Sequence, residues 1–382
     1  MRSTMVRTVS IILAAVLLVT PFILAGCTTK EVPPRTRVTV TDAADRQVSV
    51  AVPVQRVVLS LGNLLHDYAA VGGEEAIKRI VGWQPTKLWD YDAHLKYQEK
   101  FPQIESIPDV GNYSNGTSSV EKIISLKPDV VIFELYMLDK EIVRVDISRL
   151  EQAGIPSIVV DYWKNPPENR PKSTLLLGTL LGKEKRAQEV VNFYEQQVNK
   201  VTSRLEDIDK PKPKVYIEVG GKGHSEYSGT YGSDFGWGAV VAKAGGINIG
   251  EGIVKCLAPI HPEYVLKQNP DVIIITGRPG PGLPGKMSLG YYANPEESRE
   301  LLKAFTGRPG WDTLNAVKNG RVYSILHPIC GYTASLIGAQ AFAKWFYPDE
   351  FRDLDPVASL KEFHKRFLPV DYSGVWIIGI NE

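Results

Sequence analysis

Short, uninterrupted apolar runs are the feature that most limits how this chain can fold. Runs of this kind occur at residues 56–60, 129–133, 156–160, 214–218, 271–275 and 321–325. Stretches with the apolar spacing of helices, such as 120–126 and 145–153, lie between them. Strands that are buried on both faces and alternate with helices are typical of parallel, doubly wound sheets. The chain is therefore predicted to be α/β, with one lobe in each half.

A segment near the middle of the chain separates the two sets of strands. Apolar residues recur in it at steps of three and four, as at Ala187, Val191 and Tyr194, among charged residues. This spacing predicts one long amphipathic helix. About 30 residues at 1.5 Å each would span about 45 Å, enough to join the lobes as a spine. An ordinary surface helix of either lobe would show the same spacing.

These patterns set the predicted domain boundaries. The N-terminal lobe (N-lobe) is placed at 38–168 and opens with a β-hairpin, the spine helix at 169–210, and the C-terminal lobe (C-lobe) at 211–382. Two domains are the natural expectation for a chain of this length. Ligands bind at the carboxyl ends of strands in open α/β sheets, so a ligand cleft is expected between the two lobes.

The N-terminus predicts export from the cytoplasm. Arg2 and Arg7 precede an apolar run at 11–19, and residues 1–26 together have the pattern of a signal peptide. A transmembrane anchor is the alternative, but later in the sequence no apolar stretch approaches the roughly 20 residues that a span requires.

A cysteine directly after this apolar segment predicts a lipid anchor. Leu24-Ala25-Gly26-Cys27 resembles the lipobox of bacterial lipoproteins, in which the cysteine is diacylated and becomes the new N-terminus. The polar residues at 27–37 would then form a tether. The predicted location is the extracytoplasmic face of the cell membrane, in a periplasm or on the cell surface.

Charge gives no reason to expect nucleic acid as a partner. The chain has 44 Lys and Arg against 43 Asp and Glu, and removal of the signal peptide would take away only Arg2 and Arg7. The exported surface is therefore nearly neutral. Cys256 and Cys330 could pair outside the cell, but the sequence does not show whether they lie close together.

The sequence does not have the motifs of common hydrolases. It has no Gly-x-Ser-x-Gly elbow and no His-Glu-x-x-His. The segment 280–286 begins like a phosphate-binding loop, but Met287 stands where a hydroxyl residue is required, and its prolines remove backbone donors. The chain is therefore not predicted to be an enzyme.

A twelve-residue pattern occurs twice. Glu121 and Glu263 each stand seven residues before a Pro-Asp pair, at 128–129 and 270–271, that opens an apolar run. The two lobes are thus predicted to be built alike, with one carboxylate on each. Acidic residues also favour the first turn of a helix for local reasons, and that interpretation competes with a functional one.

The whole exported chain resembles the periplasmic-type binding proteins that serve importers of ferric siderophores, haem and cobalamin. The segments that carry the resemblance are 40–46, 56–60, 111–132, 177–183, 244–248 and 263–276. The resemblance implies two lobes joined by a long helix and a monomer that delivers a small-molecule ligand to an ABC permease dimer with its ATPase subunits. It also implies that Glu121 and Glu263 dock into arginine pockets of the permease.

The resemblance gives a ferric siderophore or related iron complex as the expected cargo, with no resident cofactor. Cobalamin or haem is one alternative. A bare metal ion or small metal chelate is another, because His66, His224 and His327 fall in loops that should converge. The six histidines, however, show no short ligand spacing.

Loops that follow the predicted strands supply the candidate ligand-binding residues. Aromatic faces suit flat, partly apolar ligands, and an arginine can pair with an anionic group. The candidates are Trp83, Trp89, Tyr113, His224, Tyr231, Arg278, Tyr292, His327 and Tyr332. Each aromatic residue could instead pack in a core, and Arg278 could be a solvated loop residue. The glycine-rich stretch 220–238 is predicted to form a flap over the ligand.

Overall fold

The computed structural model describes residues 35–88, 90–164, 166–279 and 285–381. The predicted signal peptide at 1–26, Cys27 and most of the tether at 27–37 lie outside the described residues, as does Trp89. Within the described ranges, the helices are all too short or too polar to cross a membrane.

The N-lobe has a four-stranded parallel sheet. Its elements are β1 (Thr36–Thr41), β2 (Gln47–Val52), β3 (Val57–Leu59), α1 (Leu64–Ile77), β4 (Ile80–Trp83), α2 (Tyr91–Lys100), α3 (Val120–Ser125), β5 (Val130–Glu134), α4 (Glu141–Gln152) and β6 (Ser157–Val160). The sheet order is β4-β3-β5-β6, and β1 and β2 form the predicted hairpin. Every residue of β3, β5 and β6 is buried. This burial accounts for the uninterrupted apolar runs.

Two helices, α5 (Pro166–Leu181) and α6 (Glu184–Leu205), follow the N-lobe. The predicted single helix over 169–210 is therefore wrong in extent. Gly182 takes a left-handed φ of 65°, which ends α5 in the way that glycine commonly ends helices. The chain then folds back, so that Arg170 of α5 reaches the Tyr194 hydroxyl of α6.

The spine that joins the lobes is α6 alone. Its first turn contacts the N-lobe, where Arg186 donates to the Ala70 carbonyl at 2.8 Å. Its last turn contacts the C-lobe, where Arg204 pairs with Asp353 at 2.7 Å. The 22 residues of α6 correspond to about 33 Å at 1.5 Å per residue.

The C-lobe is built on a mixed sheet. Its elements are β7 (Lys214–Val219), β8 (Gly229–Tyr231), α7 (Gly236–Lys243), β9 (Ile247–Asn248), β10 (Leu257–Pro259), α8 (Pro262–Gln268), β11 (Val272–Gly277), α9 (Pro295–Thr306), α10 (Asn315–Lys318), β12 (Val322–Leu326), α11 (Leu336–Phe346), α12 (Pro356–Phe367) and β13 (Ile377–Gly379). The sheet order is β10-β8-β7-β11-β12-β13, with β9 beside β7. β7, β11 and β12 are parallel, and β8, β10 and β13 run antiparallel to their neighbours. The predicted two-lobe α/β architecture is confirmed.

The repeated Pro-Asp pair has the same structural role in each lobe. The Asp129 carboxylate accepts the backbone N–H groups of Gln55 and Arg56 at 2.7 and 2.9 Å. The Asp271 carboxylate accepts the N–H of Lys214 at 2.9 Å. In both lobes the aspartate thus fastens the start of its strand to the neighbouring parallel strand.

Candidate ligand-binding site

A cavity of about 190 Å³ lies between the lobes. Residues of both lobes line it: Asn63, Tyr136, Trp163, Tyr231, Phe235, Cys256, Leu257, Arg278 and His327. Several follow the carboxyl ends of strands directly, with Tyr136 after β5, Arg278 after β11 and His327 after β12. The cavity thus lies where an open α/β sheet places a ligand.

A polar relay from the C-lobe reaches this cavity. The Tyr231 hydroxyl lies 2.6 Å from Nδ1 of His327, and the Thr276 hydroxyl lies 3.1 Å from the same nitrogen. On the other side of the ring, Arg278 Nη2 lies 2.6 Å from His327 Nε2. A guanidinium only donates, so Nε2 accepts and the imidazole hydrogen is on Nδ1. Burial, with the neighbouring Arg278 charge, lowers the pKa of His327 well below its usual range. The neutral ring therefore orients Arg278 at the cavity.

Three aromatic rings form an apolar wall across both lobes. Tyr136 and Trp163 come from the N-lobe and Phe235 from the C-lobe. The ring centroids are 6.1 Å apart for Tyr136 and Trp163, 6.2 Å for Tyr136 and Phe235, and 5.7 Å for Trp163 and Phe235. At these separations the rings pack against one another, so a ligand would contact the wall from one side.

Buried acids of the N-lobe lie at the contact with the C-lobe. The Tyr332 hydroxyl donates to Asp90 at 3.2 Å, and the Thr333 N–H donates to Asp67 at 2.8 Å. Burial raises the pKa of Asp67 to about 6 and that of Asp90 to about 7. It also lowers the pKa of His66, whose ring lies 4.3 Å from that of Tyr332, to about 3. This part of the contact therefore carries less charge than the same three side chains would carry in water.

The structure brings three of the predicted ligand-binding residues together: Tyr231, Arg278 and His327 line the cavity. Tyr332 is buried at the lobe contact instead. Tyr292 is 48% exposed and bonds to Asp92 and Glu99 of α2.

Three other predicted residues pack elsewhere. Trp83 is buried beside His94, and Tyr113 is buried beside Phe133. His224 lies against Phe305 within the C-lobe. Their positions in loops suggested the cleft, but Trp83 and Tyr113 are buried within the N-lobe and His224 is exposed on the C-lobe.

Six lining residues were not among the predicted set: Asn63, Tyr136, Trp163, Phe235, Cys256 and Leu257. Tyr136 and Trp163 stand in loops that the sequence did assign to the cleft. Phe235 belongs to the stretch predicted as a flap, which instead forms β8 and the start of α7. Cys256 and Leu257 approach the cavity because β10 pairs with β8, and the local sequence does not show this pairing.

The histidines considered for a metal site are separated. His66 lies beside Tyr332, His224 beside Phe305, and His327 beside Tyr231. In the part of the chain that the structure describes, no three His, Cys, Asp or Glu side chains are arranged to hold a metal ion. Cys256 and Cys330 are both free thiols, the first exposed and the second buried.

The two repeated glutamates are exposed on separate lobes. Glu121 lies in the first turn of α3 and pairs with Arg149 of α4 at 2.5 Å. Glu263 lies in the first turn of α8, where the His261 side chain accepts its backbone N–H at 3.3 Å. Local capping thus contributes to both sites, while both carboxylates face solvent.

A larger depression of about 400 Å³ is lined by Thr41, Asp42, Ala43, Asp45, Asn169, Lys172, Ser173 and Leu176. It lies beside the hairpin turn rather than at the strand ends. Asp42, which lines it, already holds Arg46 at 2.6 Å. We therefore assign the candidate site to the cavity between the lobes.

Comparison with known proteins agrees with this architecture. A family model described as periplasmic binding protein matches residues 59–327. The crystal structure of a TroA-like periplasmic binding protein, FepB from Veillonella parvula, superposes with a TM-score of 0.83 at 37% identity, covering 90% of this chain and 100% of that one.

Two more distant relatives cover most of the chain. The molybdate-binding protein MolA of Haemophilus influenzae is 23% identical over 352 residues, which is 87% of this chain and 91% of MolA. Its molybdate-bound structure has a TM-score of 0.67. YvrC of Bacillus subtilis, an uncharacterized ABC transporter substrate-binding lipoprotein, is 24% identical over 327 residues, 83% of this chain and 87% of YvrC.

Proposed function

The chain belongs to the periplasmic binding protein family, and we propose that it captures a ferric siderophore or a related iron complex for an ABC importer. The observation that carries the ligand proposal is the Tyr231–His327–Arg278 relay beside an aromatic wall. A guanidinium in a partly buried site favours an anionic group. The wall favours a flat or partly apolar one. Ferric complexes of carboxylate or catecholate ligands combine both properties.

The size of the cavity favours a second candidate, a compact oxyanion. Cavities for drug-sized ligands measure about 300–1,000 Å³, whereas this one is about 190 Å³. A small tetrahedral anion would fit beside Arg278 without any change in the lobes. MolA, which covers most of this chain, is named for binding molybdate. A whole siderophore, haem or cobalamin would require the lobes to part.

Delivery to the importer is proposed to use Glu121 and Glu263. Both carboxylates are exposed and occupy equivalent positions of two similar lobes. They would meet arginines on the two subunits of a permease dimer that works with its ATPase subunits. The bound chain would act as a monomer held to the membrane by a lipid on Cys27, and YvrC is a lipoprotein among its relatives.

The test is a titration of the chain from Thr28 onward, which contains the compact unit 35–382. Tryptophan fluorescence is recorded during titration with ferric siderophores, haemin, cobalamin, molybdate and free metal ions, because Trp163 lines the cavity. Saturable quenching by one ferric complex supports the main proposal. A response to molybdate alone supports the compact oxyanion instead. A response to free metal alone contradicts both.

The Arg278→Gln variant makes this titration specific for the cavity. A ligand that binds beside the guanidinium loses affinity in the variant, whereas a ligand adsorbed elsewhere quenches both proteins equally. Equal quenching by a candidate ligand would remove it from the proposal.

A further inference from the structure

Arg170 connects three parts of the molecule through one buried guanidinium. Its side chain is only 1% exposed. Nη2 donates to the carbonyl oxygens of Tyr162 and Cys330, both at 2.8 Å. Nη1 donates to the hydroxyl of Tyr194 at 3.3 Å, and the guanidinium carbon lies 5.5 Å from the centroid of that ring. A single nitrogen thus bonds to both the N-lobe and the C-lobe, and the guanidinium also contacts Tyr194 of the spine helix α6.

The two bridged carbonyls lie next to the walls of the cavity. Tyr162 directly precedes Trp163, and Cys330 follows His327 by three positions. Arg170 itself is not among the lining residues. Two buried carbonyl oxygens directed at one point repel each other unless a donor lies between them, and a buried carbonyl that is left unpaired destabilises the folded state. The guanidinium therefore stabilises the close approach of Tyr162 and Trp163 in the N-lobe to the segment 328–331 in the C-lobe.

The two lobes are in close contact at Trp163 and Gly331. A Cβ atom on Gly331 would lie 2.0 Å from Nε1 of Trp163, so only glycine fits in this arrangement. The Trp163 carbonyl also accepts the N–H of Gly236 at 3.2 Å. Gly331 does not have a left-handed φ, so an alanine there would test the contact without straining the backbone.

Arg170 also lies among buried acids of the N-lobe. Its charge opposes the upward shift that burial produces in the pKa of Asp67 and of Glu134. A role in charge neutralisation alone could be filled by any buried cation. Arginine serves both carbonyls with Nη2 and the Tyr194 hydroxyl with Nη1, whereas the shorter lysine side chain has only one nitrogen.

We propose that Arg170 is a positioning residue that holds the Trp163 wall against the segment 328–331, and so sets the closed geometry of the cavity. This proposal rests on the proposed function, because it assigns to Arg170 control over how long a ligand stays bound. Without the Arg170 bridge, Trp163 and the segment 328–331 separate more often, and the ligand dissociates faster. Arg170 acts through Trp163 and Cys330 rather than through contact with the ligand.

Arg186 offers a matched control. It also joins the lobes, since its Nε donates to the Ala70 carbonyl at 2.8 Å and its Nη2 to the Phe367 carbonyl at 2.9 Å. Arg186, Ala70 and Phe367 do not line the cavity. Arg186→Lys therefore removes a comparable bridge at a distance from the ligand.

The first measurement is hydrogen exchange of the ligand-free chain from Thr28 onward. The amides of Gly236 and Thr333 donate across the lobe contact, to the Trp163 carbonyl and the Asp67 carboxylate, so their exchange reports opening. Arg170→Lys is expected to accelerate both by about tenfold, which corresponds to about 1.4 kcal/mol, whereas Arg186→Lys leaves them within about twofold. Unchanged exchange in Arg170→Lys, or an equal change in both variants, would overturn the proposal. Because no ligand is present, this result does not depend on the proposed cargo.

The second measurement is the dissociation rate of whichever probe from the titration quenches saturably. Arg170→Lys and Gly331→Ala are each expected to raise this rate. If both act by separating Trp163 from the segment 328–331, the double variant is expected to be little faster than the faster single variant. Additive effects would overturn the proposal. If substitution at Arg170 prevents folding, the dissociation rate of Gly331→Ala still tests the proposal.

A purely electrostatic role predicts a different result. Lysine keeps the positive charge beside Asp67 and Glu134, but its single nitrogen on a shorter side chain cannot take the positions of both Nη1 and Nη2. Exchange rates and dissociation rates in Arg170→Lys that match the unsubstituted chain, together with large changes in Arg170→Gln, would assign Arg170 to charge neutralisation and contradict the positioning role.

Discussion

The two lobes present different groups to the contact that they share. The N-lobe places the aromatic rings of Tyr136 and Trp163 at the cavity, and it places Asp67 and Asp90, whose pKa values are raised by burial, beside Thr333 and Tyr332 outside the cavity. The C-lobe contributes Arg278, oriented by the neutral ring of His327. The lobes are alike in the repeated Pro-Asp unit but differ in the groups at their strand ends. The shared fold thus provides the position of the cleft, and the loops provide its polarity.

We expect this difference to orient a ligand. An anionic group would be attracted to Arg278 of the C-lobe, whereas the N-lobe contributes two of the three rings of the apolar wall and, among the residues that the structure describes, no cation to the cavity. Substitutions in one lobe at a time test this difference.

The largest effect is expected from Arg278→Gln in the C-lobe. A charge-assisted hydrogen bond to a ligand contributes about 1.5–3 kcal/mol, so affinity for an anionic ligand should fall by about 10- to 100-fold. Fluorescence titration measures the change. Arg352→Gln, at an exposed position of the same lobe, serves as the control. Unchanged affinity in Arg278→Gln would show that the polarity of the C-lobe does not orient the ligand.

The second effect concerns the N-lobe and depends on pH. Burial raises the pKa of Asp90 to about 7, above its value in the unfolded chain. The folded protein then holds a proton that the unfolded chain has already lost, so the stability contributed by protonated Asp90 disappears as the pH rises from about 4 to about 7. Asparagine cannot ionise. Asp90→Asn should therefore gain stability relative to the unsubstituted chain across this range, by up to about 1.4 kcal/mol per pH unit, and the difference should level off above pH 7.

Urea unfolding at several pH values measures this difference. His66 Nε2 lies 3.8 Å from Asp90 Oδ2, but its pKa of about 3 keeps the ring neutral over this range of pH. Asp312→Asn, at an exposed position of the C-lobe, controls for the loss of one negative charge. A difference that does not change with pH would mean that Asp90 ionises freely in the folded N-lobe.

The sequence predicted the fold better than the site because the two depend on different kinds of contact. The apolar runs at 129–133 and 271–275 match β5 and β11 to within two residues at either end, because a strand that is buried on both faces needs apolar residues at consecutive positions. The break between α5 and α6 was missed although Gly182 stands at it. The apolar spacing continues on both sides, and the helical pattern does not reveal that the chain reverses.

The site depends on contacts between distant segments. Tyr231, Arg278 and His327 follow or end strands, and their loop positions were enough to predict them. Arg170 was not predicted, because a proline-flanked arginine at the start of a helix looks like any surface residue until Tyr162 and Cys330 are placed on either side of it. Trp83 and Tyr113 were predicted to bind the ligand but are buried away from the cavity, since a loop position does not reveal which way a ring points.

A third and smaller effect is expected from Tyr231→Phe. This change removes the hydroxyl beside His327 Nδ1 while the Thr276 hydroxyl remains at 3.1 Å, so the tautomer that orients Arg278 is weakened rather than lost. One neutral hydrogen bond contributes about 0.5–1.5 kcal/mol, and ligand affinity should fall by about two- to tenfold. Tyr264→Phe on α8 is the matched control. A loss as large as that of Arg278→Gln would indicate that Tyr231 contacts the ligand directly.

The smallest effect is expected where the lobes meet the importer, and here too the lobes differ. Glu121 is already paired with Arg149 of its own lobe, so the proposed docking would exchange one arginine for another. Exposed charge pairs act on association more than on affinity. Glu263→Gln should therefore slow binding to the permease complex by about two- to fivefold, and Glu121→Gln should slow it less. Arg149→Gln, which releases Glu121, should accelerate binding.

Stopped-flow mixing with the complex in lipid nanodiscs, at low and at high salt, measures these rates. A larger effect of Glu121→Gln than of Glu263→Gln would show that the pair with Arg149 prepares the N-lobe for docking rather than competing with it.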